Sequence, residues 1–317
     1  MNYIQRNEEA LKKQIIPQTK QADFEEFWAK QVKILRAVPL KVEKRLLDLP
    51  YKTFKAYEIV FNAHDDTKVT AYYCVPNTYT GEKLPCIAMF HGGGGYYNVS
   101  STINLEIVAS GYCTFCMDGR SQGGLTYDNA GYDMADDCHG GLMSHGLLNK
   151  ENFYMRNLYL DAVRSIDVIE TLPEVNAQKI ITQGISQGGA LSIVAAALSG
   201  KVIKAYPTVP SYACLEKRVE RGSGVFNVVN YYLTSHPEQT DIVMENLSYF
   251  DINNMVSLLK VPVHFALGLA DPICIPQFVY SPYAHTTAPK QITISPFTPH
   301  SIAPDYRIDM IREFATL

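Results

Sequence analysis

No apolar run in the 317-residue chain reaches the roughly 18 residues that a membrane-spanning helix needs. An excess of cationic residues is missing as well. Lys and Arg number 28 against 32 Asp and Glu, a net charge of −4, which argues against nucleic acid or an anionic membrane as a partner. The glycine run His91-Gly-Gly-Gly-Gly95 is followed by neither a Gly-Lys-Ser/Thr tail nor a spaced Gly-x-Gly-x-x-Gly, so it is a poor phosphate cradle. Cysteines number seven and form no paired framework; only Cys113 and Cys116 are close. Those two sit inside an apolar run at 111–117 with no second Cys/His pair at ligand spacing. They are therefore expected as buried strand thiols rather than half a zinc site. The opening Met1-Asn-Tyr-Ile-Gln-Arg lacks the apolar core of a secretory signal. With an odd thiol count, that sets the expectation of a cytoplasmic protein. Internal repeats and low-complexity segments are also absent.

What is present is an ordinary globular balance, 47% hydrophobic and 19% charged, at a length near the upper limit for one domain. A single domain over 1–317 is the expectation, with an N-terminal helical extension over 1–50. Residues 23–36 show helical apolar spacing, with Asp23 at the N-cap position. Two strand-like runs at 53–61 and 69–75 flank a polar turn and read as an antiparallel hairpin at a sheet edge. From residue 85 strands alternate with helices: strands at 85–90, 112–118, 179–183, 202–208, 261–267 and 291–295, helices at 102–110, 155–172, 189–199 and 303–314. Near-continuous apolar strands in that alternation predict a mostly parallel, doubly wound α/β sheet covered on both faces. An aromatic-rich helical insertion at about 209–257 is expected to lie over the carboxyl ends of the strands as a lid.

The strand ending at Gly184 turns into a small-residue helix through Gly184-Ile-Ser186-Gln-Gly188-Gly189. Gly-x-Ser-x-Gly between strand and helix is the pattern of a nucleophile elbow, which makes Ser186 the candidate nucleophile. A serine needs a base, and the base a carboxylate to orient it. In the α/β-hydrolase order the acid and then the base follow the nucleophile, each just past a strand. Asp271, in Gly268-Leu-Ala-Asp271-Pro, and His300, in Pro299-His300-Ser301, stand in those places. His264 falls mid-strand and His285 in a helix-like segment. His64, His91, His139 and His145 precede Ser186, and His236 falls in the insertion. Backbone N–H groups of Gln187 and Gly93 are the candidate oxyanion donors. Tyr96 and Tyr212 are candidate substrate-binding residues. No metal and no organic cofactor is required.

Further motifs extend the pattern along nearly the whole chain: Asp23-Phe-Glu-Glu-Phe-Trp28, Asp118-Gly-Arg120-Ser-Gln122-Gly-Gly124, Tyr159-Leu-Asp161-Ala-Val-Arg164 and Leu247-Ser-Tyr-Phe-Asp251. Together they resemble the acetyl xylan esterase / cephalosporin-C deacetylase family of α/β-hydrolases, the seventh carbohydrate-esterase family. The resemblance implies cleavage of small acyl esters, chiefly acetyl, from sugars and cephalosporin C, with Ser186, Asp271 and His300 as triad. It also implies a homo-oligomer, in the family a ring-like hexamer. Two positions depart from the family pattern. Gly93 stands where many members carry Tyr, and Pro299-His300-Ser301 replaces the usual Gly-His-Glu. Arg120 and Gln122 are expected to brace the site from beneath, and Asp161 and Arg164 to pair on a helix surface. A prolyl-peptidase-like hydrolase and an inactive hydrolase fold used for binding are the competing readings.

Overall fold

Apolar residues that alternate between two covered faces set the sheet. The computed structural model describes residues 1–97, 104–133 and 141–314. Its strands are β1 Glu43–Leu46, β2 Phe54–Asn62, β3 Lys68–Pro76, β4 Leu84–Phe90, β5 Cys113–Met117, β6 Val175–Ile185, β7 Val202–Thr208, β8 Val263–Gly268 and β9 Lys290–Ser295. They form one sheet in the order β1-β2-β3-β5-β4-β6-β7-β8-β9. The hairpin of β2 and β3 pairs antiparallel, as expected, and the strands from β5 to β9 pair in parallel. In β4, Cys86, Ala88 and Phe90 join one core cluster while Ile87 and Met89 join the other. Alternation of this kind requires both faces to be covered. Cys113 and Cys116 divide the same way, three residues apart and on opposite faces, so they share no ligand.

The helices are α1 Tyr3–Lys12, α2 Phe24–Ala37, α3 Leu105–Ala109, α4 Tyr154–Thr171, α5 Gln187–Ser199, α6 Leu215–Glu220, α7 Asn227–Ser235, α8 Thr240–Ser248, α9 Ile252–Met255, α10 Pro276–His285 and α11 Pro304–Phe314. The helix expected from 102 begins at α3; positions 102 and 103 lie outside the described residues. Between β7 and β8 the chain runs through α6 to α9, the helical insertion. Trp28 of α2 donates its indole N–H to Tyr249 O at 2.9 Å and stacks on Tyr159 of α4 at 5.9 Å. The N-terminal helix thereby covers α4, whose residues from Tyr154 to Ile169 are all buried.

The surface pairing expected of Asp161 and Arg164 is not found. Both are buried, and they serve different partners. Asp161 binds Arg120 through both oxygens, at 2.6 and 2.7 Å. Arg164 donates to the carbonyls of Asn62 and Val38. Asp23 does occupy the N-cap position of α2 but makes no capping bond; its carboxylate accepts from the Tyr249 hydroxyl instead.

The strand order reverses at β4. The chain leaves β4 for β5 on one side, then crosses back to β6 on the other. A crevice opens at the carboxyl ends of strands at such a switch point. Both the glycine loop after β4 and the serine after β6 project there.

Candidate active site

Ser186 stands between β6 and α5 with φ 58° and ψ −119°, a left-handed backbone on a residue that carries a Cβ. Such a conformation costs about 1–3 kcal/mol and persists only where neighbours enforce it. Here the Ser186 N–H donates to Thr208 O at 3.0 Å, and its carbonyl accepts from Ser211 and Ala190. The glycines have a steric cause. A Cβ on Gly184 would sit 2.3 Å from the Gly188 carbonyl carbon, and one on Gly188 would sit 1.9 Å from Phe90 O. Strand β4, strand β6 and helix α5 therefore touch backbone to backbone beneath the serine.

The Gly93 loop lies alongside. The ideal Cβ position of Gly92 is 3.8 Å from Ser186 Cβ, and that of Gly93 is 3.5 Å from Gln187 Oε1. Among the described residues, neither the Gly93 nor the Gln187 N–H has a hydrogen-bond acceptor. His91 fixes the loop. Its Nε2 accepts from the Gly119 N–H at 2.8 Å, so its proton is on Nδ1, 2.8 Å from Gly92 O. Burial pushes this ring below the ordinary imidazole value, which keeps it neutral.

Gln122 and Gln187 face each other through their amides. Each donates to the other, at 3.1 and 3.0 Å. Gln122 Oε1 also accepts the Gly94 N–H at 3.2 Å, and its Nε2 reaches the Tyr154 hydroxyl at 3.0 Å. Tyr212 donates to Gln187 Oε1 at 2.5 Å. Behind them Arg120 is fully buried among Asp65, Asp128 and Asp161. Both Arg120 and Gln122 thus brace the crevice from beneath, as expected.

On the other wall, Asp271 and His300 meet. Asp271 follows β8 and is buried; its Oδ1 accepts the N–H groups of Ile273 and Cys274 at 2.8 and 2.9 Å. Its Oδ2 lies 2.8 Å from His300 Nδ1. The loop after β9 reaches Asp271 because it packs onto the end of β8: a Cβ on Gly268 would lie 2.4 Å from Thr298 O. The Asp271 hydrogen bond, with the neighbouring Cys274, raises His300 to about 10. A carboxylate here favours imidazolium. No hydrogen bond joins His300 to Ser186 among the described residues; such contacts often tighten only with substrate bound.

Ser186, Gly93, Gln187, Tyr212, Arg218 and Ile273 line a cavity of about 110 Å³. A larger one of about 560 Å³ opens beside it, lined by Gly93, Gln122, Gln187, Tyr212, Val225 and Val228. Tyr96 is not among the residues lining either cavity; its ring lies against Gly123 and is 46% exposed. The competing histidines are engaged elsewhere, His264 with Glu313 and Thr293, and His285 with Ile16 O. His139 lies outside the described residues. Sequence reasoning missed His91, Tyr154 and Cys274. Only Cys274 carried a local signal, three residues after the candidate acid.

A mostly parallel sheet with a serine elbow at its switch point defines an α/β-hydrolase. The acetyl xylan esterase (AXE1) family profile matches residues 1–317, and the chain belongs to that family. An acetyl xylan esterase from a Paenibacillus species superposes with a TM-score of 0.90 at 29% identity, covering 100% of this chain and 99% of the other. Acetyl xylan esterase 1 from a Thermoanaerobacterium species gives 0.88 at 25% identity, over 97% and 98%. The acetyl esterase Axe7A of Xylanibacter ruminicola is 27% identical over 293 residues, 88% of this chain and 63% of the relative. The chain thus spans less than two thirds of that relative's length.

Proposed function

We propose that the protein is a serine carboxylesterase that removes acetyl groups from acetylated sugars, xylo-oligosaccharides first among them, and from cephalosporin C. The observation that carries this reading is the pair of N–H groups, Gln187 and Gly93, that have no acceptor among the described residues and lie beside Ser186 on one small cavity. Ser186 Oγ attacks the ester carbonyl while His300 takes its proton, and Asp271 steadies the imidazolium. Negative charge on the carbonyl oxygen falls between the two N–H groups. His300 then protonates the departing sugar hydroxyl, leaving an acetyl-serine that water hydrolyses by the same steps in reverse. At about 110 Å³ the cavity is well below the roughly 300–1,000 Å³ of sites for drug-sized ligands, which supports a small acyl group.

Turnover of p-nitrophenyl acetate by wild type and by Ser186→Ala tests the reading; equal rates in the two would sink it. A series of acyl chain lengths, with acetylated xylo-oligosaccharides and cephalosporin C, then ranks the substrates. A reducing, cytoplasmic setting is part of the proposal, and it suits the odd number of cysteines, seven in all. A homo-oligomer is the proposed assembly, and size-exclusion chromatography with light scattering decides it.

A further inference from the structure

The acid and base of this site have a third neighbour. The ligand atoms of Asp271, Cys274 and His300 all lie within 4.8 Å of one another, the one such cluster among the described residues. Asp271-Pro-Ile-Cys274 places two of them on one turn, held by the Cys274 and Ile273 N–H groups on Asp271 Oδ1. Oδ2 is left facing His300. One sulfur, one imidazole nitrogen and one carboxylate oxygen form a donor set for a borderline-soft cation, with bonds of about 2.0–2.3 Å. The His300 side chain is 22% exposed and the Asp271 side chain 0%, so entry is from the His300 side.

We propose that Asp271, Cys274 and His300 form an inhibitory site for zinc and chemically similar divalent cations. Binding releases the thiol proton, and one ring proton when His300 is imidazolium, to solvent and leaves a metal–thiolate and a metal–imidazole bond. Whichever ring nitrogen of His300 the metal takes, the other holds the remaining proton, so no lone pair is left to accept one from Ser186. Three protein ligands leave a position for water, which makes the metal exchangeable and the inhibition reversible by a chelator. The inhibitory half rests on His300 being the base; the binding half does not.

Co²⁺ titrated into chelator-stripped full-length protein is the probe. The expected result is a thiolate-to-cobalt charge-transfer band in the near ultraviolet that saturates at one equivalent. Esterase turnover falls in step and returns with EDTA. Ser186→Ala, without turnover, keeps the band, and so does Cys138→Ser, a position outside the described residues. Cys274→Ala loses the band, and both it and His300→Asn weaken Zn²⁺ binding by calorimetry roughly ten-fold or more. An undiminished band in Cys274→Ala, or no Zn²⁺ binding by wild type in the micromolar range, overturns the proposal. A band in a protein that hydrolyses no ester would sink the esterase reading alone, and turnover without metal binding would sink the site alone.

Discussion

The side-chain amides of Gln122 and Gln187 are bonded to each other in both directions, at 3.1 and 3.0 Å. One follows β5 and the other opens α5, so the pair ties the two sides of the crevice together. Gln122 also holds the Gly94 N–H, next to a proposed oxyanion donor.

Gln122→Leu should therefore lower kcat on p-nitrophenyl acetate with little change in KM. Leaving the buried partners unsatisfied costs about 1–3 kcal/mol, which is roughly five- to 160-fold if it falls on the transition state. An unchanged kcat with an intact fold would remove Gln122 from the positioning role.

Two glycine substitutions should part company. Gly188→Ala would place a methyl group 1.9 Å from Phe90 O, and it should lose most of the folded protein in a thermal melt. Gly93→Ala has its nearest contact at 3.5 Å, at the end of a side chain, and should fold normally. Gly93→Tyr, which adds a ring beside Gln187, should fold as well and depress longer acyl esters relative to acetyl.

The Asp271–His300 pair has a pH signature. With His300 raised to about 10 from an ordinary 6.5, kcat/KM should climb with pH well beyond the usual imidazole range. Asp271→Asn should move that acidic limb downward and cut kcat by orders of magnitude. Because the folded value lies above the unfolded one, the pair's contribution to stability is complete below about 6.5 and disappears as pH rises through about 10.

Arg120→Leu should destabilise the protein strongly. It leaves Asp65, Asp128 and Asp161 without their shared cation, and breaking a buried ion pair on one side typically costs about 3–5 kcal/mol. Urea unfolding monitored by circular dichroism measures it, and a midpoint like that of wild type would refute the role given to this arginine.

The legible parts of this molecule were those written in apolar periodicity or in glycine. Strand β7 falls at its expected residues, Ser186 stands on the turn between β6 and α5, and the loops after β8 and β9 bring Asp271 and His300 together. Strand β1 left no trace, because all four of its residues are exposed and three are charged. Asp161 and Arg164 looked like a surface pair because their spacing is that of a surface pair. What holds them are Arg120 for Asp161 and the carbonyls of Asn62 and Val38 for Arg164, all distant in sequence, which no local pattern reports.

The contact beneath Ser186 has a further consequence. Since Gly188 abuts Phe90 O with no side chain between them, the spacing between the serine elbow and the end of β4 is fixed by main chain, and His91 and Gln122 pin the glycine loop that follows. The walls of the pocket, by contrast, are side chains such as Tyr212 and Val225, or the lack of one at Gly93. Substitution can therefore widen or narrow what enters while the reacting geometry stays put, and a lineage built on this frame can change its ester without relearning how to cut one.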